Sequence, residues 1–232
     1  MKSIYAYLFS WLGAPTRVVE LTVAAPTAPQ SDRQSKIEIG QYNERLVSNE
    51  LSKLDPRYYR VLNNIMLPSS DGNTSFAQID HIILSIYGIF CLETKGYSGS
   101  IFGDNNENDW TIVYPGNEYT QPNPVSQNHK HKMAIIKLLG RHNLKARINA
   151  FIIFPSAKRI TVQNTDAVGD LSTSMLKLSG YSNIVYSMAE VHDLTNKLKL
   201  ANITDKARRE QHSREIALLA IFPKSNVSEY AH

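Results

Sequence analysis

Apolar residues recur every three or four positions over residues 36–54, a spacing that predicts an amphipathic helix. Pro56 ends this helix, because the residue before a proline is biased away from the helical region. Glu44 shares a row with Val47 and Leu51, at the edge of the apolar stripe. We therefore expect one acidic side chain to face inward from a helix that covers the core.

Three apolar runs then favour strands, over 58–67, 76–86 and 89–95. The Tyr87-Gly88 pair between the last two runs is a hairpin signal, so those strands are expected to be antiparallel neighbours. The pattern thus predicts a sheet built around one hairpin.

The second half of the chain mixes helix and strand signals. Asn123-Pro124 offers an N-cap followed by proline at the first helical position, and the glycine after residue 139 is a natural stop, so a helix is predicted over 124–139. Ser187 and Glu190 have the spacing of a capping box, which starts another helix. Further elements are predicted as strands over 110–114, 148–154 and 184–186, and as a charged last helix over 204–221.

The order of these elements predicts an α/β (α+β) sandwich, in which a mixed sheet is covered on its faces by helices. Residues 24–35 are rich in Pro, Ser, Ala and Gln, a composition typical of a linker. We therefore expect an N-terminal apolar segment and linker over 1–35, a central domain over 36–200, and a C-terminal helix and tail over 201–232.

The hairpin brings charged residues together. With the turn centred on Tyr87 and Gly88, Asp80 is expected directly opposite Lys95 and diagonal to Glu93, roughly 5–8 Å away. Since side chains alternate between faces, all three point to the same face of the sheet. Two carboxylates side by side are costly to bury unless a cation compensates them, and hard oxygen ligands suit Mg²⁺ or Mn²⁺. Lys95 could then orient or deprotonate an attacking water, so the cluster favours hydrolysis at phosphorus.

Two helical residues extend this candidate site. Glu44 could reach the same metal as Asp80 and Glu93, and Gln127 lies near the start of the helix over 124–139. A simpler interpretation also stands: Asp80 and Lys95 form a structural ion pair, and the two helical residues lie at solvent edges.

The histidines are weaker candidates. His129 and His131 have a spacing that zinc sites sometimes use, although ordinary helix histidines account for it better. His81 lies on the opposite face from Asp80 and is expected to be packed there.

Composition adds only modest constraints. The 25 basic and 21 acidic residues give a net charge of +4 and a pI of about 9.0, which fits a nucleic-acid partner without requiring one. A run of basic residues lies on and just after the second helix. It is explained equally well by a solvated helix face and by a surface that contacts DNA. This run comprises Lys130, Lys132, Lys137, Arg141, Lys145 and Arg147.

Cysteine usage and the N-terminus bear on location. Cys91 is the single cysteine, so the chain has no internal disulfide and nothing points to secretion. The apolar segment over 3–14 is too short to span a bilayer, which takes about 20 residues. We expect a cytoplasmic protein whose N-terminal segment docks on a partner or on its own domain, with attachment to a membrane surface as the second choice.

Residues 39–103 closely resemble the NERD (nuclease-related) domain, a branch of the PD-(D/E)XK nucleases. The likeness extends to about residue 154, and the block QID…ETK, residues 78–95, is its most specific part. The matching stretches are GQYNE at 40–44, YYRVLNNIMLP at 58–68, QIDHIILSIYGIFCLETKGYSGSIFG at 78–103 and NPVSQ at 123–127.

This resemblance implies a restriction-endonuclease-like core with Asp80, Glu93 and Lys95 as its signature residues. Glu44 is similar to the family's helical carboxylate, and Gln127 to the helix glutamine of several relatives. Asn43 departs from the glycine that the family usually has before the helical glutamate, a small change on a helix.

The leading hypothesis is therefore a Mg²⁺- or Mn²⁺-dependent DNA endonuclease, with RNA as an alternative substrate and pairing of two copies as an expectation for an enzyme that cuts both strands. A catalytically silent nucleic-acid-binding module with a nuclease fold is the main alternative. A protein docked to a membrane or partner through its N-terminus is a third, compatible with either. No Gly-x-Ser-x-Gly elbow or Walker-type phosphate loop is present, which disfavours acyl-transfer hydrolases and nucleotide-driven motors.

Overall fold

The computed structural model describes residues 30–69, 74–140, 144–145 and 147–221. Its helices are α1 (Gln30–Leu51), α2 (Pro124–Leu139), α3 (Leu171–Ser179), α4 (Met188–Ala201) and α5 (Lys206–Ile221). Its strands are β1 (Tyr59–Pro68), β2 (Phe76–Ser85), β3 (Gly88–Thr94), β4 (Ser100–Asp104), β5 (Asp109–Tyr114), β6 (Asn117–Pro122), β7 (Asn149–Ile153), β8 (Arg159–Gln163) and β9 (Val168–Gly169).

The main sheet has five strands in the order β1-β2-β3-β7-β9. Strands β1, β2 and β3 are antiparallel, whereas β3, β7 and β9 run parallel, so the sheet is mixed as predicted. Every residue of β3 is buried, because this strand lies between β2 and β7 with helices on both faces. The apolar run Ile89–Leu92 fits a strand that is covered on both faces, whereas Glu93 and Thr94 are polar residues buried at its end.

Two hydrophobic clusters fix helices to the faces of this sheet. On one face, Ile82 and Cys91 pack with Ile135 of α2 and Leu194 of α4. The other face is covered by α1 and α3 and contains a separate cluster, Val47, Leu51, Ile83, Phe90, Leu92, Phe151, Ile153 and Leu178. The prediction of a mixed central sheet flanked by helices is confirmed.

A second sheet, of four strands in the order β6-β5-β4-β8, was largely missed by the sequence reasoning. Only β5 was predicted, and no element was predicted between it and the helix that starts at residue 124. Instead Tyr114 and Asn117 close a hairpin from β5 to β6. Most residues of β6 are exposed, so its sequence carries no alternation of apolar and polar positions to reveal a strand.

One helix boundary and two other elements also differ from the predictions. Helix α1 begins at Gln30, inside the segment that was interpreted as linker. Residues 184–186 do not form a strand; Val185 and Tyr186 instead donate their backbone N–H groups to the carbonyl of Ile86, at the tip of the hairpin. Helix α3 was not predicted, since its Ser- and Thr-rich sequence has weak helix propensity.

The predicted helix caps are present. The side chain of Asn123 accepts a hydrogen bond from the N–H of Val125, and Gly140 ends α2 with a positive φ of 77°. Ser187 and Glu190 form a reciprocal capping box at the start of α4. These local signals were readable because a cap depends on only three or four consecutive residues.

Within the described ranges, no helix is long and apolar enough to cross a membrane. The apolar segment over 3–14 and residues 222–232 lie outside the described residues. The predicted docking of the N-terminal segment and the predicted domain boundaries therefore stay predictions.

Candidate active site

The candidate site lies where β2 and β3 separate. Their ladder runs from Ser85↔Gly88 to His81↔Leu92 and stops there. Continued by one residue, this register sets Asp80 opposite Glu93, so the predicted pairing of Asp80 with Lys95 is wrong. Each residue of β2 thus lies opposite a residue of β3 two positions earlier than predicted. A register shift of two residues does not change which residues of the two strands share a face of the sheet.

Beyond the end of the β2–β3 ladder, the side chain of Asp80 accepts a hydrogen bond from the backbone of β3. Its Oδ2 accepts a hydrogen bond from the N–H of Thr94 at 2.7 Å. Burial and the nearby charge of Glu93 raise the pKa of the Asp80 carboxyl well above its ordinary value, and the Thr94 N–H opposes them only in part. The ionised form of Asp80 is therefore unfavourable in free energy unless a cation lies nearby.

Glu93 is buried, with 3% of its surface exposed, and lies between two basic side chains. Its Oε1 is 2.7 Å from Nζ of Lys95, and its Oε2 is 3.2 Å from Nδ1 of His131. Burial raises the pKa of this carboxyl, but Lys95 and His131 outweigh that effect and lower it to about 2. Oε2 has no hydrogen bond of good geometry, so one oxygen of a charged carboxylate remains unsatisfied.

Lys95 is fixed from two sides. Besides its contact with Glu93, Nζ donates to Oε1 of Gln127 at 2.7 Å. Burial lowers the pKa of Lys95, but the charge of Glu93 and the hydrogen bond to it raise the pKa above its ordinary value. Lys95 is therefore an ammonium at neutral pH. Gln127 itself is exposed rather than turned into the core, and only its amide end reaches the site.

Glu44 adds a third acidic group from α1. It is half-buried, and burial together with repulsion from Glu93 raises its pKa, against the opposing effects of Arg45 and Lys95. Glu44 also contributes to the raised pKa of Asp80. The structure thus brings Glu44, Asp80, Glu93 and Lys95 within electrostatic reach of one another, and Gln127 joins them through its hydrogen bond to Lys95.

These residues fit a divalent cation that is completed by other ligands. The described residues contain no group of three or more His, Cys, Asp and Glu side chains arranged to hold a metal by themselves. Mg²⁺, however, is commonly bound by one or two carboxylates together with water and substrate phosphate. The unsatisfied Oε2 of Glu93 and the crowded charge of Asp80 are what such an ion would compensate.

Asn43, the departure from the family pattern, is buried beside this site. Its Nδ2 donates to the carbonyl of Ile39 at 2.9 Å, and its Oδ1 accepts from Oγ of Ser156 at 2.7 Å. A Cβ on Gly96 would lie 3.0 Å from Asn43 Nδ2, so a larger residue there would have to displace Asn43 by a few tenths of an ångström. Asn43 therefore links α1 to Ser156, after β7, and lies against Gly96, the residue that follows Lys95.

His131 and Asn128 were undervalued in the sequence. Asn128 is fully buried and donates to the carbonyls of Cys91 (3.2 Å) and Phe151 (3.0 Å), which ties α2 to β3 and β7. His131 follows Gln127 by four positions, the one signal that could have placed it at the site. Burial raises the pKa of the Cys91 thiol, which donates to Asn128 and is unsuited to act as a nucleophile.

The other histidines lie elsewhere. Nδ1 of His81 is 2.9 Å from Oδ1 of Asn63, and burial lowers the pKa of His81 to about 4, consistent with a packed rather than catalytic residue. His129 is exposed and lines a different cavity.

The basic residues proposed to contact DNA do not all lie on one surface, and only some of them line a common cavity. Lys132 and Arg147 line an open cavity of about 1070 Å³ between α2, β7 and α3, on another side of α2 from Gln127. Lys145 also lines it but is ion-paired with Glu190 at 2.6 Å. Two of the others lie apart from it: Lys137 donates to the carbonyl of Ser69, and Lys130 is exposed. Arg141 lies outside the described residues.

Fold and site together define the class of protein: a mixed sheet with helices on both faces, and two carboxylates and a lysine where two strands part, as in a PD-(D/E)XK nuclease core. The sequence profile of NERD, the nuclease-related domain, matches residues 39–155. The chain belongs to this family.

Relatives add little about function. An uncharacterized protein of Bacillus anthracis is 33% identical over 174 residues, which cover 75% of this chain and 81% of that protein. Among solved structures, a protein of unknown function matches with 11% identity and a TM-score of 0.27, covering 78% of this chain and 98% of the other.

Proposed function

We propose that this protein is a metal-dependent nuclease that hydrolyses phosphodiester bonds in DNA. The observation that carries the proposal is the meeting of Asp80 and Glu93 where β2 and β3 separate, with Lys95 held beside them. Two carboxylates this close need a compensating charge, and one of them keeps an unsatisfied oxygen. Membership of a nuclease-related family supports the same activity.

The proposed cofactor is Mg²⁺ or Mn²⁺, held by Asp80 and Glu93 with Glu44 as a further oxygen donor. Either ion, when bound, would stabilise the negative charge that develops on the scissile phosphate. His131 and Lys95 keep Glu93 ionised, and the Thr94 N–H fixes the Asp80 carboxylate. The protein thus contributes a charged and oriented pair of oxygen ligands.

Lys95 is proposed to orient the attacking water and a phosphate oxygen. An ammonium has three donors, of which one is used by Glu93 and one by Gln127, so one remains for the substrate. Because the pKa of Lys95 is raised, we propose this orienting role over removal of a proton from water. Gln127 serves to hold Nζ at the site.

The proposed substrate is DNA, and most contacts are expected to be to phosphates. Lys132 and Arg147 supply positive charge in the cavity beside α2, and neither has an ion-pair partner among the described residues. A strand that engages both this cavity and Lys95 has to cross the first half of α2.

The test is cleavage of supercoiled plasmid, single-stranded DNA and RNA in Mg²⁺, Mn²⁺ or EDTA. Asp80→Asn and Lys95→Ala are expected to lower kcat by at least about 100-fold, since each removes a charge aligned with the reacting phosphate. Glu107→Gln and Lys158→Ala are the matched controls, because both side chains are exposed and neither is among the charges that shift the pKa values of Glu44, Asp80, Glu93 or Lys95. Both controls are expected to cleave like wild type.

Two results would contradict the proposal. Cleavage that persists in EDTA or in both site variants would place the activity elsewhere or in a contaminant. A folded wild-type protein that binds these nucleic acids but cleaves none of them, in any of the metals, would make the silent binding module the better description.

A further inference from the structure

Strands β1 and β2 share an irregularity next to the candidate site. The residues on either side are paired in the ladder, but Asn64 and Asp80, which stand opposite each other, are not. Asn64 has a φ of 53°, in the left-handed region that residues other than glycine seldom adopt. The unpaired position in β2 is thus the proposed metal ligand.

At the same irregularity, the alternation of side chains between the two faces of the sheet is interrupted in both strands. Ile79 and Ile82 lie in one core cluster although residues three apart point to opposite faces of a regular strand. Leu62 and Ile65 of β1 show the same reversal in the same cluster. Both strands therefore change face at the step occupied by Asn64 and Asp80.

Arg209 of α5 holds this turn in place. Its Nη1 donates to Oδ1 of Asn64 at 2.9 Å, and its Nη2 donates to the backbone carbonyl of Asn64 at 3.0 Å. Gln78 donates to the same Oδ1 at 3.1 Å. A planar guanidinium that bonds both the side chain and the main chain of one residue restrains its backbone angles, which a single contact does not do.

The guanidinium is itself firmly placed. Its Nε donates to the carbonyl of Ile203 at 2.9 Å, and Nη2 also donates to Oδ1 of Asn202 at 3.3 Å. These two residues link α4 to α5 and pair with Met66 of β1: the N–H of Ile203 donates to the Met66 carbonyl, and the Met66 N–H donates to Oδ1 of Asn202. Helix α5 is thereby fastened to β1 two residues from Asn64.

We propose that Arg209 is a positioning residue for the active site: by holding Asn64 in the left-handed conformation it directs the Asp80 carboxylate to Thr94 and Glu93. The inference rests on the proposed function, because Asp80 matters to catalysis as a metal ligand. Arg209 lies beyond residue 155, where the match to the nuclease-related domain ends. Helix α5 thus contributes to a site whose acidic residues all lie within that domain.

The test compares Arg209→Ala with Arg208→Ala, which removes an exposed arginine from the neighbouring position of the same helix. Three quantities are measured: hydrogen exchange at the Thr94 amide by NMR, kcat and KM for plasmid cleavage, and the affinity for Mn²⁺ by calorimetry. Arg209→Ala is expected to speed Thr94 exchange and to lower kcat and Mn²⁺ affinity about tenfold, with KM for DNA little changed. Arg208→Ala is expected to behave as wild type.

A second substitution separates positioning from general stability. Glycine adopts positive φ without strain, so Asn64→Gly in the Arg209→Ala background should restore slow Thr94 exchange and most of kcat. Rescue of this kind is expected only if the backbone angle at residue 64 is what Arg209 controls. Should Arg209→Ala not fold, Arg209→Lys replaces it, since lysine keeps the charge but lacks the two-pronged geometry.

The inference is overturned if Thr94 exchange in the Arg209 variant matches wild type. It is also overturned if both arginine variants raise KM equally, which would identify α5 as a surface that attracts DNA by charge. If wild type cleaves nothing and binds no Mn²⁺, the proposed function fails, yet Thr94 exchange still decides whether Arg209 positions Asp80.

Discussion

At the scale of single residues, Glu93 shows how one buried carboxylate is kept charged. Lys95 neutralises Oε1 and is itself held by Gln127, while His131 approaches Oε2 without a hydrogen bond of good geometry. The result is a pKa lowered to about 2 in a place where burial alone would raise it. The pKa of Asp80 is shifted the other way, because burial and the charge of Glu93 outweigh the Thr94 N–H and the charge of Lys95.

His131→Ala is expected to lower metal affinity or kcat by about 10–100-fold, the usual cost of losing a residue that orients a metal ligand. The physical reason is that Glu93 loses the contact that fixes Oε2. His131→Asn is the conservative comparison, because its amide nitrogen can take the place of Nδ1 and should recover part of the loss. Both are measured by Mn²⁺ calorimetry and by plasmid cleavage.

The outcome that would contradict this prediction is a His131→Ala protein with wild-type metal affinity and kcat and a reduced melting temperature. Such a result would make His131 a residue of the core alone, as its small exposed fraction of 6% also permits.

At the scale of elements, α2 is the helix on which the site depends. Three of its first eight residues reach β3 or Lys95: Gln127 holds the lysine, Asn128 bonds the carbonyls of β3 and β7, and His131 approaches Glu93. The position of its first turn is set by Asn123, whose Oδ1 caps the helix and whose Nδ2 donates to the carbonyl of Glu107, in the turn between β4 and β5 of the second sheet. The cap thus connects the second sheet to the active-site helix.

Asn123→Ala is expected to lower the free energy of unfolding by about 1–2 kcal/mol, because it removes a helix cap and leaves buried partners unsatisfied. Asn123→Asp keeps the cap acceptor but not the donor, so it should retain most of the capping contribution and lose only the link to the second sheet. Urea denaturation of the two variants and wild type measures both effects. Equal loss in both variants would show that the donor, rather than the cap, carries the stability.

At the scale of the whole molecule, the charge surplus is small and its placement matters more than its size. Glu44, Asp80 and Glu93 meet where β2 and β3 part, whereas Lys132 and Arg147 lie in the cavity across α2. In the proposed function, DNA is attracted to one side of α2 and hydrolysed on the other. This distribution of charge affects how a charged partner is encountered and bound, and it does not determine the fold.

DNA affinity is expected to fall steeply with salt, and Lys132→Ala and Arg147→Ala should each reduce the slope of log K against log[salt] by about 1. The reason is that each lost phosphate contact no longer releases a counterion. Lys199→Ala, an exposed lysine on α4, serves as the control and should leave the slope unchanged. Fluorescence anisotropy in EDTA from low to moderate salt measures binding without cleavage, and equal slopes for all four proteins would contradict the assignment of this cavity to DNA.

Local signals in the sequence determined the parts of this protein that depend on neighbouring residues. Val47 and Leu51 marked the buried stripe of α1, Asn123 and Ser187 marked helix starts, and the Tyr87-Gly88 turn marked the hairpin. Asp80 and Glu93 were predicted to lie close together, and this part of the prediction tolerates an error of two residues in register, because such a shift does not change which residues of two paired strands share a face.

Only the tertiary structure decided the rest, because each remaining feature joins residues that are distant along the chain. The pairing of Asp80 with Glu93 depends on where the hairpin turns, and the second sheet is held by a parallel contact between β4 and β8 that no local pattern announces. The bonds from Arg209 to Asn64 join residues 145 positions apart. Residue types and their periodicity determined which chemistry this chain carries, whereas the packing of helices against a kinked sheet determined which of those groups meet.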